Sequence, residues 1–183
     1  EDGWFNTGDI GYMDAEGFLY LSGRAKDLII RSGHNIDPEL IEEPLNVHAD
    51  VVTSIAIGLP DPYAGELPMA YVVKVANSDV TEIELIDHCA SAMSERAAIP
   101  KRIEFIDAMP LTAVGKIFRP TLRQKISEQV IRELLAKKSL EATITSEIEK
   151  KRGLVLSIDV ADKTKIDEVK KLVEGYIFTS AIH

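Results

Sequence analysis

Apolar and polar positions follow two rhythms along this chain. "VVTSIAIGL" (51–59) and "LPMAYVVKV" (67–75) are nearly unbroken apolar runs, and they predict two buried strands joined by the turn-rich "PDPYAGE". "TEIELIDHCASAMSER" (81–96) carries Ile83, Ile86, Cys89, Ala90 and Met93 at helical spacing, which predicts an amphipathic helix. "GFLYLSG" and "DLIIRSG" are short β-rich runs ended by glycine and read as strands of a small sheet or hairpin. "DPELIEEPLNVH" (37–48) places Asp37 as an N-cap and Pro38 at the first helical position, with Pro44 inside the pattern to kink or shorten the helix. "RIEFID" is a further short strand, and a long polar helix is expected from about Thr121 to Lys138.

Beyond that helix the pattern weakens. Residues 139–152 are charged without a clear period and read as helix or linker. "LVLSIDV", "KIDEVKKLV" and "YIFT" then predict strand, helix and strand. The whole order predicts an α+β (α/β-like) fold: a small sheet with helices packed on it, preceded by a β-hairpin and followed by a C-terminal α/β extension.

Composition narrows the class. The 183 residues are 45% hydrophobic and 28% charged, the mix of a globular domain. No stretch approaches the ~20 apolar residues of a membrane span, and the first residues have no signal-peptide pattern. The single cysteine, Cys89, sits on an apolar helical face, so a buried thiol and a cytoplasmic setting are expected. With no Cys or His cluster, a structural zinc site is not expected. Charge is uneven: residues 1–100 hold 5 Lys and Arg against 18 Asp and Glu, whereas 101–183 hold 16 against 12. The acidic half excludes a continuous basic face for nucleic acid, so cations meeting an anionic ligand there must be placed singly.

The most pointed candidate is Lys116. It follows Gly115 in "PLTAVGKIFRP" (110–120), between two prolines, as though held at the tip of a loop. "GWFNTGDIGYMDAEGFLYLSGRAKDLIIRSGHNIDPELIE" (3–42) precedes it. In order and spacing, these two stretches resemble the C-terminal portion of adenylate-forming enzymes: acyl-CoA synthetases, luciferases and the adenylation domains of peptide synthetases. The resemblance covers roughly residues 3–126, and the chain reads as a fragment of something longer.

That resemblance implies residues 1–25 as the end of a large N-terminal adenylation domain with its hinge. Residues 26–130 would be the mobile C-terminal AMP-binding domain, and 131–183 a helical linker and small α/β extension. Asp9 in "NTGD" matches the family's ribose-binding aspartate; a carboxylate can accept both hydrogens of a vicinal diol, although a turn-capping aspartate explains the same residue. Arg24 in "SGRAKD" matches an arginine contacting the same ribose, for which a planar fork of donors is suited. Lys26 falls at the hinge position. Ser32, Gly33 and His34 of "SGHN" match the loop lining the pantetheine tunnel of CoA-using members; a plain turn before the helix at Asp37 accounts for them equally.

Lys116 matches the lysine that touches the carboxylate and the α-phosphate during adenylation. At ~4 Å and an effective dielectric of ~20, one unit-charge pair is worth about 4 kcal/mol, so a cation there offsets the repulsion between two anions. The expected function is thus an ATP-dependent acid–thiol ligase: acid and ATP give an acyl-adenylate, and CoA then takes the acyl group. ATP/AMP, CoA and Mg²⁺ are implied ligands of the full-length enzyme, with the metal ligand, phosphate loop and acid pocket outside these residues. The missing N-terminal domain and a carboxylic acid are the implied partners, and the fragment alone is expected to be inactive. An adenylation domain loading a carrier protein and a non-enzymatic α/β interaction module are the alternatives.

Overall fold

The computed structural model describes residues 3–149 and 152–183. Contacts gather the chain into two compact units, Glu1–Ile57 with Pro68–Phe105, and Gly58–Leu67 with Ile106–His183.

The first unit begins with an antiparallel hairpin of β1 (Asp9–Met13) and β2 (Leu19–Arg24). Tyr12 and Tyr20 face each other across it and stack at 5.1 Å. "GFLYLSG" and "DLIIRSG" therefore do not share a hairpin. The first supplies β2, while the second supplies β3 (Ile29–Arg31), which pairs with β4 (His34–Ile36). A short 3₁₀ turn, Ala25–Asp27, separates the two hairpins.

β3 and β4 join a larger sheet in the order β4-β3-β6-β5, where β5 is Val51–Asp61 and β6 is Gly65–Lys74. α1 (Glu39–Asn46) starts behind Asp37, whose Oδ1 accepts the Glu39 N–H at 3.0 Å. It runs two residues past Pro44, which lies inside the helix and lacks the N–H that would bond back to the Leu40 carbonyl. Polar bonds dock α1 on β5: Glu42 Oε1 accepts the Ala56 N–H at 2.8 Å, and Asn46 Oδ1 accepts the Ser54 N–H and hydroxyl. α2 (Glu82–Ala92) then crosses to β7 (Arg102–Phe105), which lies parallel to β6.

The buried stripe of α2 is Leu85 and Cys89, with Ile86 and Met93 partly covered. Ile83 and Ala90 are exposed, so the apolar face is rotated from the expected one. Ile29, Ile36, Ile41, Leu45, Ala70, Val72 and Ile103 complete this core. The Cys89 thiol lies inside it, and burial pushes its pKa up to about 11.

In the second unit α3 (Arg119–Ala136) is followed by β8 (Ala142–Glu149), β9 (Gly153–Val160), α4 (Ile166–Val173) and β10 (Thr179–Ile182). The sheet order is β10-β9-β8, with β8 antiparallel and β10 parallel to β9. Residues 142–149, expected as helix or linker, form a strand; positions 150 and 151 of that segment lie outside the described residues. The reason is tertiary. Ile144 of β8 is buried with Leu156, Ile158 and Val160 of β9 under Ile131 and Leu135 of α3 and Val169 and Val173 of α4. Among the described residues no helix is long and apolar enough to cross a membrane.

Candidate active site

Asp9 opens β1 and Arg24 closes β2, and the strand register sets them opposite each other. Arg24 Nε donates to Asp9 Oδ1 at 2.9 Å, and its Nη2 donates to the Thr7 carbonyl at 3.2 Å. The turn leading into β1 is capped by other residues. Asn6 Oδ1 accepts the Gly8 N–H at 2.8 Å and Thr7 Oγ1 accepts the Asp9 N–H at 3.2 Å. The Asp9 carboxylate is thus not the turn's cap. One of its oxygens is oriented by a guanidinium, and Oδ2 accepts no hydrogen bond from a described residue. Both side chains keep solvent access, so a diol could reach them.

Lys26 is exposed in the Ala25–Asp27 turn, where the preceding Ala25 N–H donates to Gly8 O at 3.0 Å.

Ser32 and Gly33 form the two-residue tip between β3 and β4, with Arg31 and His34 as the register pair at its base. Both tip residues have positive φ, +51° and +81°, as a type I′ hairpin turn demands. A Cβ at Gly33 would meet nothing within 4 Å, so this glycine answers a backbone requirement and not a close neighbour. His34 lies in a strand and not in a loop. Its Nε2 is 2.7 Å from Glu95 Oε1, while Arg31 Nη1 donates to the Ala97 carbonyl at 2.7 Å.

Lys116 belongs to the second unit. There Leu111 and Ile117 bridge in antiparallel fashion, and the Phe118 N–H donates to Pro110 O at 2.8 Å, closing the loop at its base. At the tip, Gly115 N–H donates to Thr112 O at 2.9 Å and Thr112 N–H to Lys116 O at 2.7 Å. With Gly115 at φ +77°, this is a three-residue hairpin loop ending in a left-handed glycine. Thr112 Oγ1 also accepts the Lys116 N–H at 3.1 Å. Pro120 lies in the first turn of α3, where its lost N–H costs nothing. The Lys116 side chain is exposed, and its ammonium has no ion-pair partner among the described residues.

Sequence reading singled out Asp9, Arg24, Lys26, Ser32, Gly33, His34 and Lys116. The structure brings Asp9 to Arg24 and places Ser32 and Gly33 at one tip beside His34. It adds Glu95, Arg31 and Thr112, which position those residues. Glu95 lies 61 positions from His34, and only the fold joins them.

Residues 40–116 match the family described as AMP-binding enzyme C-terminal domain, and the match ends on Lys116. This chain contains a C-terminal domain of the AMP-binding, adenylate-forming enzymes. It is 49% identical over 135 residues to a marinolic acid–CoA ligase of Pseudoalteromonas sp. strain SANK 73390, covering 74% of this chain and 21% of that protein. Among solved structures, ATP-bound MatB from Rhodopseudomonas palustris aligns with a TM-score of 0.64 at 32% identity, over 70% of this chain and 25% of the other. The o-succinylbenzoate CoA synthetase of Bacillus subtilis, in complex with the acyl-adenylate OSB-AMP, aligns with a TM-score of 0.62 at 37% identity, over 67% and 25%. The chain thus spans about a fifth to a quarter of the length of these relatives.

Proposed function

We propose that this chain is the C-terminal region of an ATP-dependent acyl-CoA synthetase and supplies the cation for its first half-reaction. In that step a carboxylate oxygen attacks the α-phosphorus of ATP, the bond to pyrophosphate breaks, and an acyl-adenylate forms. In the second, a thiolate attacks the acyl carbon and AMP leaves. The observation that carries this reading is the Lys116 loop. Its backbone is closed on itself by hydrogen bonds while its ammonium stays exposed and unengaged, ready to meet anions supplied from elsewhere.

Asp9 and Arg24 fit the nucleotide ribose. Asp9 Oδ2 is open to a hydroxyl donor, and Arg24 holds the carboxylate in place and keeps further N–H donors. The Ser32–Gly33 tip would serve the thiol step, and Lys26 would be the hinge whose torsions exchange the two arrangements. CoA is taken as acceptor because the relatives are named CoA ligases. Mg²⁺ would neutralise phosphate charge. Among the described residues no group of three or more His, Cys, Asp or Glu is placed to hold a metal ion.

Lys116→Ala in the full-length enzyme tests the proposal. Pyrophosphate release should fall by at least about 100-fold, the scale of losing one electrostatic stabiliser, whereas thioester formation from supplied acyl-adenylate should stay within about twofold. Equal loss in both half-reactions would remove Lys116 from this role.

A further inference from the structure

The Ser32–Gly33 tip has little to rest on: Ser32 holds a strained left-handed φ of +51°, and the space beside Gly33 is empty. Its position depends on its base, the register pair Arg31 and His34. Both are tied to one short segment that follows α2. Arg31 Nη1 donates to the Ala97 carbonyl, and His34 Nε2 meets the Glu95 carboxylate at Oε1, each at 2.7 Å. Nothing about Glu95 suggests this from its sequence neighbours, and α2 itself buries Leu85 and Cys89 without its help.

We propose that Glu95 is a positioning residue for the thiol half-reaction, acting through His34 to hold the Ser32–Gly33 tip where the acceptor's pantetheine arm passes. This rests on the function proposed above and adds a residue to it. Sheet pairing through β3 and burial of Ile29 and Ile36 fix the body of the hairpin, and the two-point clamp at its end limits how far the tip beyond the sheet can bend. Glu95 is not a catalytic residue. It touches no reacting atom and works by limiting where the tip can go.

The test uses the full-length enzyme that carries this region, with the two half-reactions read separately. Glu95→Ala should raise the KM for CoA roughly threefold to tenfold in thioester formation from supplied acyl-adenylate, the scale of one lost, partly exposed hydrogen bond to an ionised group. Pyrophosphate release should change less than about twofold. Glu95→Gln, whose amide oxygen can still accept from the imidazole N–H, should restore most of the KM. Glu95→Ala combined with His34→Ala should be no worse than the larger single effect, because both act in one contact.

Equal decline of both half-reactions, or additive single effects, would mean a structural role only and overturn the proposal. So would a Glu95→Ala enzyme with unchanged KM for CoA. A wild-type enzyme that forms no thioester with free CoA would instead defeat the proposed function itself, which separates the two failures.

Discussion

Gly115 shows how one residue can hold another in place. Its φ of +77° lies where a Cβ is disfavoured, yet a Cβ built there would touch nothing within 4 Å. Gly115→Ala should therefore cost only the local backbone term, about 1 kcal/mol. Global stability, followed by chemical denaturation, should shift little because the loop is exposed. Adenylation by the full-length enzyme should fall more than the stability change alone would suggest, since Lys116 is the next residue along. Unchanged adenylation would mean that the ammonium finds its place without this turn. Ser32 carries the same strain with a side chain, which sets it apart from Gly115.

At the scale of the element, α2 is started by a reciprocal cap. Thr81 Oγ1 accepts the Glu84 N–H at 3.3 Å, and Glu84 Oε2 accepts the Thr81 N–H at 2.8 Å. These bonds, that to the Thr81 backbone first, hold the Glu84 carboxyl below its ordinary pKa. A depressed folded-state pKa adds stability at pH above the unfolded value, and this is lost as pH falls through the folded value. Glu149, Asp159 and Asp162 are lowered in the same direction, led by side-chain bonds to Arg152, Lys163 and Thr164. Denaturation midpoints should thus be flat near neutrality and decline in acid below the normal carboxylate range. Thr81→Ala should lower stability by about 1 kcal/mol at neutral pH, and Thr81→Ser should recover most of it. An equal loss for both would show that the cap is not the source.

The same helix bears a second device. His88 Nε2 lies 3.0 Å from the Pro44 carbonyl near the end of α1. A carbonyl in the last turn of a helix has no partner further along, so a histidine from the neighbouring helix serves it.

At the scale of the whole molecule, the second unit contains a buried ion pair. Glu66 is 6% exposed and pairs with Arg123 of α3 at 3.0 Å, and a Cβ on Gly58 would fall inside the Glu66 carboxyl group. Gly58→Ala should displace that carboxylate from its cation and destabilise the protein by about 2–3 kcal/mol. Urea denaturation of wild type and variant would measure it; a loss under about 0.5 kcal/mol would show that the pair can move without penalty. Lys26→Pro addresses the proposed swing. A fixed φ in the Ala25–Asp27 turn should leave one half-reaction of the full-length enzyme and suppress the other. Uniform loss of both would argue against a hinge at this position.

Much of this was legible in the chain itself. Apolar runs identified β5 and β6, Asp37 and Pro38 marked the start of α1, and the glycines at 33 and 115 marked turns, because these signals are local: periodicity, capping and backbone freedom act within a few residues. The phase of α2, with Leu85 buried and Ile83 exposed, was not legible, since burial depends on what packs above the helix. Nor was β8 read as a strand: "ATITSEIE" does alternate, with Ala142, Ile144 and Ser146 toward the covered face, but the period is short and sits in a charged stretch, and pairing with β9 beneath α3 and α4 is what holds it. The residue types proposed to meet a nucleotide and an acid were determined by sequence alone. Which of them touch, Asp9 with Arg24 and His34 with Glu95, was decided by tertiary structure, because a contact across 15 or 61 positions exists only once the intervening chain has folded back.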